Sequence, residues 1–230
     1  MDDSKLERWG AWAGIAFVVL VLVTAFLPGS PPKPSDSTAK ITTYFADKAD
    51  EIRIITYLGG LATVAVFFWL GALWRFLRRG EGAGPMLATS AVAGGVFAAV
   101  MNGVGGIILA AVTVLRLQNS APKELRFYYV LANMFTIVGG FGIVVLLAAV
   151  SLVALRSAVL PRWVAALGGV AIVLWIVATG GVTSTKDWIF YFGLAGFALF
   201  AIWVVVVSIM MLRAASTSSD APAFSEPSAA

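Results

Sequence analysis

The chain has 230 residues, of which 60% are hydrophobic and only 12% are charged, whereas soluble domains hold roughly 45–50% apolar and about 25% charged residues. This composition excludes an ordinary water-soluble fold, and because a helix needs about 20 apolar residues to cross a bilayer, it predicts a membrane protein with about six crossings. The net charge is +4 and the chain contains neither Cys nor His, which excludes disulfides, thiol nucleophiles, Cys or His zinc sites, His-ligated haem and Ser–His catalysis.

Apolar runs bounded by charged residues predict the transmembrane segments. The runs are unbroken rather than alternating, which favours helices over barrel strands. We therefore predict an all-α fold, a polytopic membrane helix bundle in a single domain over residues 1–213. The six predicted helices are Trp9–Leu27, Ile52–Leu77, Met86–Leu115, Phe127–Leu155, Trp163–Val182 and Trp188–Leu212.

The first hairpin is similar in sequence to the last one. The run Leu6-Glu7-Arg8-Trp9-Gly10-Ala11 aligns with Leu160-Pro161-Arg162-Trp163-Val164-Ala165, and the second run aligns with the sixth through Tyr57 and Tyr191, Trp69 and Trp203, and Arg79 and Arg213. The similarity predicts a parallel internal repeat, the alternative being chance matches of common apolar residues. It also indicates that the first run is a retained helix, and not a cleaved signal peptide.

Residues 28–51 form the one sizeable predicted loop. Four prolines make its first part extended, and helical spacing follows from Ser37 to Asp50. We predict a short amphipathic, extracytoplasmic interfacial helix that caps the mouth of the bundle. The residues expected on its apolar face are Ile41, Tyr44, Phe45, Lys48 and Ile52.

Neutral polar residues are the candidates for function at membrane depth, because no charged residue lies in the middle third of any run. Asn102, Asn133 and Thr136 are expected either to make interhelical contacts or to line a polar site for a solute. In the same third run, Ala91, Gly95, Ala99 and Gly103 form a stripe of small residues. This stripe predicts close helix packing, either within the bundle or against a partner subunit or second copy.

Charged residues recur at the start of each even-numbered run. Glu51 with Arg53, Glu124 with Arg126, and Asp187 stand there. A carboxylate in the first turn favours the helix dipole, which explains each one singly. The alternative is that they converge on one outward-facing cavity that holds a lipid headgroup or a cation.

Orientation follows from the short connections, since basic residues there favour the cytoplasmic side. The cluster Arg75, Arg78 and Arg79 and the pair Arg156 and Arg162 flank two such connections, so we expect both termini in the cytoplasm. Residues 214–230 are rich in Ala, Ser and Pro with no apolar period. They predict a disordered cytoplasmic tail.

Several of these motifs together resemble a broad group of uncharacterised six-helix membrane proteins of actinobacteria. The resemblance covers nearly the whole chain and rests on interface residues. It implies a bacterial inner-membrane location and carries no catalytic or binding residue. The motifs are Arg8-Trp9 with Ala11-Trp12-Ala13-Gly14, Leu27-Pro28-Gly29, Tyr44-Phe45-Ala46-Asp47, Leu70-Gly71-Ala72-Leu73, and Leu155-Arg156 leading to Val159-Leu160-Pro161-Arg162-Trp163.

The function expected from sequence is that of a non-catalytic membrane component, either an accessory subunit or a lipid-interacting protein. No titratable group suited to acid–base chemistry lies at depth, so we expect neither an enzyme nor a cofactor. The expected partners are the lipid bilayer and a partner subunit or second copy, not nucleic acid. The alternative is a small transporter or binding protein for an apolar solute.

Overall fold

The computed structural model describes residues 3–81, 84–184 and 186–219, and these residues form helices with no strand. The predicted all-α class is confirmed. Six helices are long and apolar enough to cross a membrane, as a multi-pass membrane protein requires. The elements are α1 (Asp3–Phe26), α2 (Thr38–Asp47), α3 (Ala49–Glu81), α4 (Met86–Val114), α5 (Leu117–Ser120), α6 (Pro122–Arg156), α7 (Arg162–Thr179), a 3₁₀ turn (Gly180–Val182) and α8 (Asp187–Ser219).

The six long helices form a closed ring in chain order. Helix α1 packs against α3, α3 against α4, α4 against α6, α6 against α7, α7 against α8, and α8 back against α1. One end of the ring is called the arginine end, and the other, where α2 and α5 lie, is called the capped end. The arginine end carries Arg75, Arg78, Arg79, Arg156, Arg162 and Arg213.

The ring consists of three hairpins whose buried positions recur in the same register. When the first and last hairpins are aligned as their sequences suggest, the buried positions of the middle hairpin, α4 and α6, match theirs as well. The same pattern of buried positions therefore recurs in all three hairpins, each running in the same direction. Equivalent buried residues are Ala11, Ala88 and Ala165 on the first helices, and Trp69, Leu146 and Trp203, then Leu73, Val150 and Val207, on the second helices.

The half of the bundle next to the arginine end is filled by two tryptophans. Trp69 and Trp203 are both fully buried, with ring centroids 6.4 Å apart in an edge-to-face arrangement. Gly14 makes room for Trp69, because a Cβ there would clash with Trp69 Cδ1. The equivalent Gly168 lies beside Trp203, but a Cβ there would meet the Ser151 hydroxyl first.

A glycine seam joins α4 to α6. A Cβ on Gly142 would meet the carbonyl of Gly94, and one on Gly94 would lie 2.6 Å from the carbonyl of Gly142. Backbone contacts this close tolerate no side chain. The seam runs beside the small-residue stripe expected from sequence: Gly95 packs instead on Leu70 of α3, and a Cβ on Gly103 would meet nothing within 4 Å.

The predicted cap helix is present as α2. Ser37 begins it by accepting a hydrogen bond from the Lys40 amide, as an N-cap residue does. Its apolar face packs against the bundle, because Ile41 and Phe45 are buried in a cluster of their own. The other buried members of this cap cluster are Ile52, Val112, Leu125 and Tyr129.

Two features differ from expectation. Sequence patterning gave no sign of the one-turn helix α5, which follows Arg116 in the left-handed region at φ 52°. Helix α8 continues to Ser219, so residues 214–219, which were expected to belong to the disordered tail, are helical. Ala215 is fully buried, and the Ser216 hydroxyl bonds the Leu212 carbonyl, which holds this extension in helical form. Residues 220–230 lie outside the described part.

Candidate ligand recess

Asn102 lies on the face of α4 that the bundle buries, yet its side chain is exposed. Ala98, one turn before it, is 8% exposed, and Gly105, one turn after it, is buried. Residues three and four positions apart share a helix face. The exposure of Asn102 is therefore to a space on the inner side of α4, and not to the surroundings of the bundle.

Thr136 of α6, like Asn102 of α4, is an exposed residue on the face of its helix that the bundle buries. Ala132 before it and Gly139 and Gly140 after it are buried on the same face. Asn102 and Thr136 thus face one space from two neighbouring helices. We call this space the capped recess, since the cap cluster residue Tyr129 lies about two turns above Thr136 on α6.

Glycines on the opposing helix accommodate both polar side chains. A Cβ on Gly139 would lie 2.9 Å from Asn102 Nδ2, and one on Gly105 would lie 3.5 Å from Thr136 Oγ1. Asn102 donates a 2.8 Å hydrogen bond to the Ala98 carbonyl. Its own amide oxygen accepts no hydrogen bond within the described residues, so it is available to a ligand.

The contact between α3 and α4 varies along its length. Where Gly95 meets Leu70, a Cβ would be 2.5 Å from the leucine side chain. About three turns further along the same two faces stand Gly106 and Gly59, and a Cβ on either would meet nothing within 4 Å. Nearer the capped end Ile52 of α3 and Val112 of α4 belong to the same buried cluster, so the loosely filled stretch lies between two contacts.

Asn133, the third polar residue singled out from sequence, has a different setting. It is half-buried and donates a 2.8 Å hydrogen bond to the Tyr129 carbonyl of its own helix. It lies on the side of α6 that includes Gly140, where α7 packs. The structure thus brings Asn102 and Thr136 together and leaves Asn133 to one side.

Charges at the start of α3 make local pairs. Glu51 Oε1 lies 3.0 Å from Lys48 Nζ, and Arg53 Nη1 lies 3.1 Å from Asp50 Oδ1. Arg53 also reaches the Thr113 carbonyl of α4 at 3.4 Å. These contacts connect α3 to the cap and to the end of α4.

The remaining charged residues that were predicted to surround an outward-facing cavity stand at the start of α6 and α8. Arg126 donates to the Thr38 hydroxyl of the cap at 3.3 Å, whereas Glu124 is exposed. The side chain of Asp187 lies outside the described residues. Convergence of these carboxylates on one cavity therefore stays a prediction.

The cap is also held by its extended segment. The Tyr129 hydroxyl donates to the Pro32 carbonyl, and Asp36 accepts a 2.8 Å hydrogen bond from the Lys33 amide. Lys40 Nζ, 2.8 Å from Asp36 Oδ2, lowers the pKa of that carboxyl. Burial raises the pKa of the Tyr44 hydroxyl. The cap is thus a packed and paired layer over the recess.

Comparison of the chain with protein-family models, with curated proteins and with solved structures finds no match in any of the three. Among the described residues, no group of three or more Asp or Glu is placed to hold a metal ion. The recess instead offers apolar walls, one amide and one hydroxyl. This chemistry suits a molecule that has an apolar body and a neutral hydrogen-bonding group.

Sequence reasoning identified Asn102 and Thr136 but could not tell an open lining from an interhelical contact. Gly59 and Gly106 belong to glycine pairs visible in the sequence. Whether a neighbouring side chain covers them depends on how α3 packs against α4, which no local pattern encodes.

Proposed function

We propose that this chain is a non-catalytic membrane protein that binds a neutral amphipathic lipid in the capped recess. The observation that carries the proposal is the exposure of Asn102 and Thr136 on faces where their helical neighbours are buried. An amide in an apolar setting needs a hydrogen-bond partner. A lipid hydroxyl that donates to the Asn102 amide oxygen supplies one.

Lateral access supports a ligand that comes from the bilayer. A Cβ on Gly59 or Gly106 would meet no atom within 4 Å, and we propose that an acyl chain enters between α3 and α4 at this level without crossing water. The cap shields the recess on the solvent side through Ile41 and Phe45. A ligand already dissolved in the bilayer is the natural occupant.

The packing of the bundle supports a binding function better than transport, which is the alternative function expected from the sequence. Beyond the recess toward the arginine end, Trp69, Trp203 and Leu147 are fully buried. The filled half offers no continuous path for a solute. A transport cycle would require these side chains to leave a close-packed interior, which is costly.

The proposed location is a bacterial inner membrane, with the arginine end in the cytoplasm. Helix α1 begins and α8 ends at that end, and short connections rich in arginine favour the cytoplasmic side. Reporter fusions after Arg79 should read cytoplasmic, and a fusion at Lys40 in the capped loop should read extracytoplasmic. The reverse pattern would contradict the orientation.

The test of binding is native mass spectrometry with an added monoacylglycerol, comparing Asn102→Leu with the matched control Asn133→Leu. Both variants remove an amide that bonds its own helix, but only Asn102 faces the recess. Loss of one hydrogen bond of about 0.5–1.5 kcal/mol corresponds to a roughly two- to tenfold loss of bound lipid. We expect this loss in Asn102→Leu alone.

The proposal is wrong if the wild-type protein retains no monoacylglycerol, or if the two variants retain it equally. Isolation of the wild-type chain with a bound polypeptide and no lipid would instead favour the accessory-subunit role.

A further inference from the structure

A second surface lies at the opposite end of the molecule, on the outward face of α1. Lys5, Arg8, Trp9 and Trp12 line an open groove of about 390 Å³. The four residues follow the spacing of a single helix face. Trp9 is 72% exposed and Trp12 is 56% exposed, so neither indole contributes to the bundle core.

Glu7, the carboxylate that stands between Lys5 and Arg8 in the sequence, is directed away from this groove. Glu7 is turned into the bundle, where its side chain is only 8% exposed and pairs with Arg79. Arg75 Nε lies 3.7 Å from the same carboxylate. Because α3 neutralises Glu7, the positive charges of Lys5 and Arg8 are not cancelled by it.

The repeated hairpin shows what is particular to α1. In the repeat register Arg162 and Trp163 stand where Arg8 and Trp9 stand, and Trp163 is likewise 50% exposed. Lys5 and Trp12, however, are replaced by Val159 and Ala166. One cation and one tryptophan are the ordinary composition of a helix end at a membrane interface. The second cation and second indole, which complete the groove, occur only on α1.

We infer that this groove binds the phosphate headgroup of an anionic phospholipid. Two cations on adjacent turns can contact the same phosphate, with the guanidinium of Arg8 presenting several N–H donors. The indoles occupy the level of the glycerol and carbonyl groups, where tryptophan is favoured. The site is independent of the capped recess, which lies in the other half of the bundle and contains no charged side chain.

The experiment uses the full-length protein in nanodiscs that contain equal amounts of phosphatidylglycerol and phosphatidylcholine. The retained lipids are released and counted by native mass spectrometry. In the double variant Lys5→Gln/Arg8→Gln, retained phosphatidylglycerol should fall at least about tenfold, since one hydrogen bond from a charged donor to the phosphate contributes about that factor. Phosphatidylcholine has a phosphate too, but its choline cation is repelled by Lys5 and Arg8, so its retention should fall less than that of phosphatidylglycerol.

The matched control is Arg162→Gln, which removes the equivalent arginine from the incomplete groove. It should change phosphatidylglycerol retention less than about twofold. Trp12→Leu is a second variant that keeps both cations and should also lower retention, because it removes one wall. All these side chains are exposed, so the thermal unfolding temperature should stay the same and serves as the folding check.

Equal losses in the double variant and in Arg162→Gln would show general charge attraction and overturn the inference. Unchanged retention in Trp12→Leu together with unchanged retention in the double variant would overturn it as well.

Discussion

The two halves of the bundle are built from the same six helices but packed differently. In the half next to the arginine end, Trp69 and Trp203 meet at the centre, and Gly94 and Gly142 bring α4 and α6 into backbone contact. In the capped half, residues 19–26 of α1 and 53–61 of α3 include no buried residue. The inner faces of α1 and α3 are thus closely packed in one half and loosely packed in the other.

The difference has a physical cause in the side chains on the inner faces. Large indoles fill the arginine half, where glycine notches admit them, whereas the capped half has glycines without an opposing side chain. Gly14 is filled by Trp69, but Gly59 and Gly106 face empty space. Glycine therefore produces either tight packing or an opening, depending on what the neighbouring helix offers.

The largest expected effect comes from emptying the filled half. Trp203→Ala should lower the free energy of unfolding by about 3–5 kcal/mol, because Trp203 is fully buried. Trp163→Ala, at a 50% exposed position, should cost far less. Thermal unfolding in detergent measures both. Equal costs would contradict the idea that the tryptophan pair is the centre of packing.

Alanine substitutions of glycine should have different effects on stability in the two halves. Gly142→Ala places a methyl group against the Gly94 carbonyl and should destabilise by about 1–3 kcal/mol. Gly103→Ala, in open space, should be neutral or slightly stabilising, because alanine favours helix over glycine. The same unfolding measurement decides. A destabilising Gly103→Ala would mean that the capped half is closed.

Breaking an ion pair should cost more stability at the arginine end than at the capped end. Glu7→Gln removes a buried carboxylate from Arg79 and should cost about 1 kcal/mol, since the arginine is partly exposed. Glu51→Gln breaks a pair in which both side chains are about a third exposed and should cost less, because solvent screens such a pair. A larger cost for Glu51→Gln would show that the capped-end charges do more than pair locally.

The smallest expected effect is a pH dependence of the cap. The hydrogen bond from Lys40 lowers the pKa of Asp36 below 3.8, so its stabilising contribution is complete above that value. The contribution is lost as pH falls through the lowered pKa. Carboxyl NMR titration should give a lower midpoint for the wild type than for Lys40→Gln. Identical midpoints would exclude this pairing.

Much of the fold follows from sequence because membrane helices are set by run length. The six helices and α2 were predicted near their observed positions, with Ile41 and Phe45 on the buried face as expected. The repeat was visible through Trp69 and Trp203, whose side chains are distinctive. The middle hairpin was not recognised, because Leu146 stands there among many similar apolar residues.

The recess could be predicted only in part. Asn102 and Thr136 were visible as polar residues at depth, but whether α3 approaches α4 closely depends on packing between helices distant in the chain. The stripe through Gly95 was assigned by spacing alone, and the actual seam runs through Gly94. Neighbouring positions on a glycine-rich helix differ by too little in sequence for spacing to separate them.

The most direct test of the open capped half is a cysteine accessibility scan, which the absence of native cysteine makes possible. Single variants Asn102→Cys and Thr136→Cys are compared with Ala98→Cys and Ala132→Cys, their buried neighbours one turn away. We expect rapid modification by a small thiol reagent in detergent at 102 and 136, with slower modification when monoacylglycerol is added, and protection at 98 and 132. Equal protection at all four positions would contradict the recess.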